Sequence, residues 1–168
     1  MNVFDAIRTR RSIRKFSEDL VEREKIMKIF DAARLSPSAL NRQPWHFILI
    51  SKQETIDKIN YACNQTWNVP YMVAACVNPS LSYVREDGEK YWKMDLAISM
   101  HSLMLAAWEL GLGTCWVAAY NENDVKRFLN VPDDIRVMAV TPLGYPAEKR
   151  KAISNRKKIH EIMHYENW

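Results

Sequence analysis

At 168 residues, 48% of them hydrophobic and 26% charged, the chain can bury a core without staples and reads as one domain, residues 1–168. A net charge of +4 is mild; it favours small anions and does not by itself point to nucleic acid. Three cysteines without a CxxC spacing argue against a disulfide framework or a zinc site and leave buried thiols in a reducing cytoplasm as the expectation.

Asn2 is set to cap a short helix with an apolar stripe at Val3, Phe4, Ala6 and Ile7, a start that reads as folded chain and not as a signal peptide. This helix leads into Arg10-Arg11-Ser12-Ile13-Arg14-Lys15-Phe16. In an extended segment Arg10, Ser12 and Arg14 share a face. Two guanidiniums flanking a hydroxyl suit a phosphate, because each fork binds oxygens bidentately and the hydroxyl adds a short bond. A solvated basic strand is the plainer reading of the same residues.

Residues 20–35 carry Ile26, Ile29, Phe30 and Ala33 at helical spacing, and Ser36-Pro37 stops the pattern. The following loop runs Ser36-Pro37-Ser38-Ala39-Leu40-Asn41-Arg42-Gln43-Pro44-Trp45. Its amides at Asn41 and Gln43 both donate and accept, which suits a heterocycle, although ordinary turn chemistry accounts for the composition as well. Residues 46–51 read as a buried strand, 53–63 as a helix, and 71–77 as a second buried strand. The polar stretch 78–90, with an Asp87-Gly88 turn, reads as a lid-like connection without a core of its own.

Residues 95–110 are apolar almost all the way round, as expected of a central helix that also meets a partner subunit, with Asp95 and Gly111 as its caps. Asp95, Ser99, His101, Ser102 and Glu109 interrupt this stretch, which argues against a membrane span. Gly111-Leu112-Gly113 precedes a strand over 114–119; this is helix then strand, the reverse of a dinucleotide fingerprint. Asn121 caps a short helix, a strand follows over 135–141, and Pro142-Leu143-Gly144-Tyr145-Pro146 ends it. The tail is basic at Lys149, Arg150, Lys151, Arg156, Lys157 and Lys158, then apolar at Ile159, Ile162, Met163, Tyr165 and Trp168, a pattern that asks for a surface to pack on. His160 and His164 share a helical spacing but lack a third ligand, and no nucleophile stands beside a base. A clamp for phosphate, an amide-rich loop, many aromatics and no evident catalytic acid or base fit a protein whose cofactor carries the chemistry.

In four ordered segments the chain resembles the nitroreductase family of FMN-dependent oxidoreductases, in its short members: residues 10–16, residues 36–45, Glu109-Leu110-Gly111-Leu112-Gly113-Thr114-Cys115-Trp116, and Leu143-Gly144-Tyr145-Pro146 followed by the basic tail with Arg156-Lys157. The resemblance implies an α+β fold with a central mixed, largely antiparallel sheet flanked by helices. It also implies an intertwined homodimer, with the long helix at the interface and residues 147–168 as a tail reaching the partner. Two FMN molecules would lie between the subunits. Arg10, Ser12 and Arg14, assisted by Arg11, would hold the phosphate and ribityl end, and Arg156 and Lys157 would return to it. Pro37, Ser38, Asn41 and Gln43 would come from the other subunit. Cys115, Trp116, Val117 and Ala118 would lie along the isoalloxazine with a backbone N–H near its N5. Longer members often carry an acidic residue followed by glycine where this chain has Val117-Ala118-Ala119, so the residue that supplies this N–H is left open.

The implied reaction takes a hydride from NAD(P)H and reduces an electron-poor acceptor, a nitroaromatic, quinone or similar compound, by a ping-pong mechanism with no obligatory catalytic side chain. The alternatives are a flavin-binding or flavin-modifying protein without such turnover, and a basic module that binds nucleic acid or an acidic partner through the tail.

Overall fold

The computed structural model describes residues 2–148 and 155–168. The Asn2 side chain accepts from the Asp5 N–H at 2.9 Å and so starts α1 (Val3–Thr9). α2 (Arg23–Arg34) begins three residues later than the 20–35 pattern suggests, because Glu22 adopts an extended conformation and caps it without a side-chain bond.

The strands are β1 (Trp45–Ile50), β2 (Tyr71–Val77), β3 (Gly113–Thr114) and β4 (Arg136–Gly144), in the spatial order β1-β2-β4-β3 with every pairing antiparallel. The parallel component is the isolated bridge between Ser12 and Thr114. β2 is buried along both faces. Val73, Ala75 and Val77 join Ile29 and Ala33 of α2 and Leu96, Met100 and Leu103 of α4 (Trp92–Glu109). Met72, Ala74 and Cys76 join Ile56 and Ile59 of α3 (Gln53–Cys63) and Val125 of α5 (Glu122–Leu129). A strand covered on both sides reads as a continuous apolar run, which is why 71–77 shows no alternation. The result is the expected α+β sandwich of a sheet flanked by helices.

Several elements depart from expectation. β1 lies at the sheet edge with His46 and Leu49 exposed, so it is half-buried. The strand expected over 114–119 stops at Thr114 and resumes only as a bridge from Val117 to Val140, while β4 continues through Pro142 to Gly144. The β3–β4 ladder ends at Thr114–Leu143, where Pro142 has no N–H to offer the next rung and the Cys115 N–H donates instead to Thr141 Oγ1 at 3.1 Å; β4 runs on because its pairing with β2 continues through Met72–Pro142 to Tyr71–Leu143. Residues 78–90 are an ordered hairpin. Val84 pairs with Lys90, Arg85 bonds Asp87, and buried Ser82 accepts from Trp92 N–H through its hydroxyl and from Arg42 through its carbonyl.

α4 ends as expected. Gly111 takes φ +80°, Leu112 N–H returns to Ala107 O at 2.8 Å and Gly111 N–H to Trp108 O at 3.1 Å, a Schellman closure. Its start differs: Tyr91 is the N-cap, and Asp95 lies one turn inside with a different task. Past residue 154 the chain forms only a three-residue 3-10 turn (Ile159–Glu161), so no helix aligns His160 with His164. Among the described residues no helix is long and apolar enough to cross a membrane.

Candidate functional site

Arg10 is the C-cap of α1, and from there the chain runs extended beside β3. Ile13 N–H donates to Thr114 O at 2.9 Å, and Ile13 packs so closely on Gly113 that a Cβ there would fall 2.7 Å from its side chain. Further on, Phe16 bridges Pro146 and Ala147 N–H donates to Lys15 O, which fastens the segment to the end of β4. Side chains alternate as expected. Arg11 and Ile13 are buried, Arg10 and Ser12 half-buried, and Arg14 exposed. Arg11 thus turns inward and donates to Arg8 O at 2.9 Å and Arg10 O at 2.6 Å, a brace under Arg10.

Arg10 is the unusual member. Its Nη1 is buried with no hydrogen-bond partner. Burial, then the like charges of Arg11 and Arg156, hold its pKa below the ordinary value, with Cys115 opposing them. The structure therefore brings Arg10, Arg11, Cys115 and Arg156 into one electrostatic neighbourhood. Arg156 and Lys157 are themselves exposed, and Lys149, Arg150 and Lys151 lie outside the described residues.

The loop of residues 36–45 is strained. Leu40, Asn41 and Gln43 have φ of 53°, 54° and 47°, left-handed values that cost a residue with a Cβ about 1–2 kcal/mol. Ser38 Oγ accepts from Gln43 N–H at 2.9 Å, and Gln43 Nε2 donates to Asn41 O at 3.2 Å. Pro37, Asn41 and Gln43 are exposed and Ser38 half-buried. Among the described residues no hydrogen bond joins this loop to the basic segment of the same chain. It bonds α4 and the 78–90 hairpin instead: Asp95 Oδ1 accepts from Ala39 N–H at 2.9 Å, Ser36 Oγ donates to Ser102 Oγ at 2.8 Å, and Arg42 donates to Ser82 O at 2.6 Å. Sequence reasoning had Asp95 as a helix cap; its fourth-residue position inside α4 is the signal that it had another partner.

In residues 115–118 the Cys115 and Val117 side chains enter the core while Trp116 and Ala118 face outward. Cys115 and Val117 N–H groups are engaged by Thr141 Oγ1 and Val140 O. A cleft of about 610 Å³ opens beside the basic segment, lined by Ile13, Trp108, Gly111, Tyr145, Pro146 and Glu148 among others. Tyr145, which the sequence places in the stretch ending β4 and in the fourth family-like segment, donates to Glu22 Oε2 and accepts from Lys25 Nζ, both at 2.5 Å. That donation, with Lys25 adding to it, pulls the Glu22 carboxyl down to about 2.

Burial pushes the Cys63 and Cys76 thiols up to about 11, so neither is a nucleophile near neutral pH. Among the described residues no group of three or more His, Cys, Asp or Glu is arranged to hold a metal.

Known proteins match this architecture. A model described as the Nitroreductase family matches residues 7–79 and 72–145. A protein of Methanothermobacter thermautotrophicus, provisionally named NADH dehydrogenase/NAD(P)H nitroreductase, is 37% identical over 156 residues, 88% of this chain and 79% of its own length. An iodotyrosine deiodinase of Nematostella vectensis is 28% identical over 193 residues, covering 95% of this chain and 73% of its own. The crystal structure of a nitroreductase family protein from Clostridium difficile 630 superposes with a TM-score of 0.91 at 30% identity over 100% of both chains. An FMN-dependent nitroreductase from Clostridium difficile R20291 does so with a TM-score of 0.85 at 26% identity, over 98% of this chain and 99% of that one. By fold, by the matched family model and by sequence identity along most of its length, the chain belongs to the nitroreductase family.

Proposed function

We propose that the chain is an FMN-dependent NAD(P)H oxidoreductase that reduces an electron-poor acceptor such as a nitroaromatic or a quinone. The observation that carries this reading is Arg10: a half-buried guanidinium with a buried, unpartnered Nη1, crowded by two further arginines. Such a group is costly until an anion of matching geometry meets it, and the FMN phosphate has that geometry. Ser12, exposed Arg14, Arg156 and Lys157 complete the phosphate side, and Arg11 braces Arg10 from beneath.

Bound FMN supplies the hydride chemistry, with NAD(P)H and acceptor using one open face in turn. The chain's own part is binding, orientation and tuning. The outward-facing positions Trp116 and Ala118 have N–H groups outside the β ladder and are the ones suited to donate to the ring; Cys115 and Val117 supply the apolar wall behind it. Exposed amides at Asn41 and Gln43, with Pro37 and Ser38, belong to the site of a second copy. In support of a homodimer, α4 exposes Met94 and Ile98 on the side away from its core face, α1 exposes Val3, Phe4 and Ile7, and the tail exposes Ile159, Ile162, Tyr165 and Trp168. On this reading residues 1–168 are one domain, with 147–168 as the segment that crosses to the partner.

Purified protein should be yellow and should bleach under anaerobic NADH or NADPH; a colourless protein that refuses FMN ends the proposal. The iodotyrosine deiodinase likeness favours one addition to the acceptor panel, a halogenated tyrosine. Steady-state oxidation of NAD(P)H with that panel separates nitroreductase turnover from dehalogenation, and tight FMN without any oxidation identifies a flavin-binding protein.

A further inference from the structure

Asp95 is 2% exposed, inside the first turns of α4, and among the described residues no cation pairs with it. Oδ1 accepts from Ala39 N–H; Oδ2 is buried and has no hydrogen-bond partner. Half-satisfied, a buried carboxylate is expensive. An apolar residue at this point of a helix packed on α2 and the sheet would be the stable choice, so the acid needs a reason.

The loop supplies it. Ala39 is the first residue of a 3-10 turn that contains two of the three left-handed residues, and Gln43 follows two residues after its end. Strained conformations persist only where the surroundings over-determine them. Besides its own turn bonds, side chains tie the loop down. Ser38 Oγ holds Gln43 N–H, Arg42 reaches Ser82 O, and Asp95 holds Ala39 N–H. The first two fasten the far end of the loop; at its entry Ser36 Oγ bonds Ser102 Oγ of α4 at 2.8 Å, and Asp95 is the α4 side chain that holds the first residue of the 3-10 turn itself.

We infer that Asp95 is a positioning residue: by holding Ala39 N–H it sets the left-handed course of residues 39–43 and so pre-arranges the Asn41 and Gln43 amides for ligand. This rests on the flavin reading for the identity of the ligand, but the loop's dependence on Asp95 does not. The same α4 that carries Asp95 also carries exposed Met94 and Ile98, so the helix proposed to join the two subunits is also the one that sets the loop each subunit offers the other.

The test pairs Asp95→Ala with Asp95→Asn, which keeps an oxygen at Oδ1. Amide hydrogen exchange on the FMN-free protein should show residues 38–43 exchanging about tenfold faster or more in Asp95→Ala, with β2 and β4 unchanged, and Asp95→Asn lying close to the parent chain. FMN affinity should fall roughly tenfold to a hundredfold in Asp95→Ala, the worth of a bond to a charged group, and the visible circular dichroism of the bound flavin should change with it. Unchanged loop exchange in Asp95→Ala overturns the inference, and so does acceleration spread evenly over the core, which would mark a purely structural acid. Faster loop exchange with unaltered FMN affinity overturns the ligand-arranging half of it. If the parent chain binds no FMN, the flavin reading fails on that result, and the exchange comparison still decides whether Asp95 sets the loop.

Discussion

In residues 10–16 the backbone is relaxed and the charges are crowded; in residues 36–45 only Arg42 is charged and the backbone is strained. The first segment is zipped to β3 and β4 by main-chain bonds, so its geometry is secure and its cost is electrostatic. The second lies outside the ladder until Trp45 joins β1, so its cost is conformational and side-chain bonds from Ser36, Ser38, Arg42 and Asp95 hold it. Crowded charge responds to salt and to anions. Left-handed backbone responds to neither; it responds to glycine.

That contrast can be broken most severely at Gly113. Valine there must displace Ile13, and overpacking of this kind should cost about 3 kcal/mol or more in urea unfolding while also prising the basic segment from β3. Next is Arg10→Met. Titration with FMN should show affinity reduced by about 1.5–3 kcal/mol, while the FMN-free protein melts higher because a buried like charge is gone. Added salt should narrow the gap in melting temperature between this variant and the parent. Gln43→Gly probes the other region: φ of 47° becomes free of strain, and the FMN-free protein should gain about 1 kcal/mol, independent of salt, while losing the amide's contact with ligand. A salt-dependent gain in Gln43→Gly, or a salt-independent one in Arg10→Met, would dissolve the distinction.

The smallest effect belongs to Tyr145→Phe. Glu22 has a folded pKa of about 2 against an ordinary 4.5, so its bond to Tyr145 contributes stability above pH 4.5 that is lost as pH falls through 2. Melting curves of parent and variant should differ slightly near neutral pH and converge toward pH 2; because Glu22 is exposed, high salt should shrink the difference. Curves that stay parallel to pH 2 would remove Glu22 from the account.

Where local chemistry fixes structure, the sequence was legible. The bounds of α3 and β2, the Asn121 cap of α5 and the Gly111 closure of α4 follow from periodicity and capping, which are properties of a few adjacent residues. The family likeness rested on four such local segments. What escaped depends on distant partners. Asn41 is a residue type that tolerates positive φ, but nothing in Leu40 or Gln43 announces it, because neither is glycine and a restraint comes from α4, more than fifty residues on. Asp95 looked like a cap because an acid near a helix start usually is one. The hairpin at 78–90 looked loose because its anchor is Arg42, on another loop. β4 runs past Pro142 because its other neighbour, β2, stays paired with it to Tyr71–Leu143. Within the site, the alternation of Arg10, Ser12 and Arg14 was readable from an extended backbone, whereas the inward turn of Arg11 was not, since it bonds carbonyls of its own helix end.

The unpartnered Arg10 nitrogen has a consequence beyond binding. A protein that carries an unmet charge in its ligand-free state gains stability from ligand by mass action, with the gain rising as the logarithm of free ligand over the dissociation constant. On the flavin reading, cellular levels of this chain are thereby tied to flavin supply: copies made during flavin shortage unfold more often and are cleared by proteases sooner.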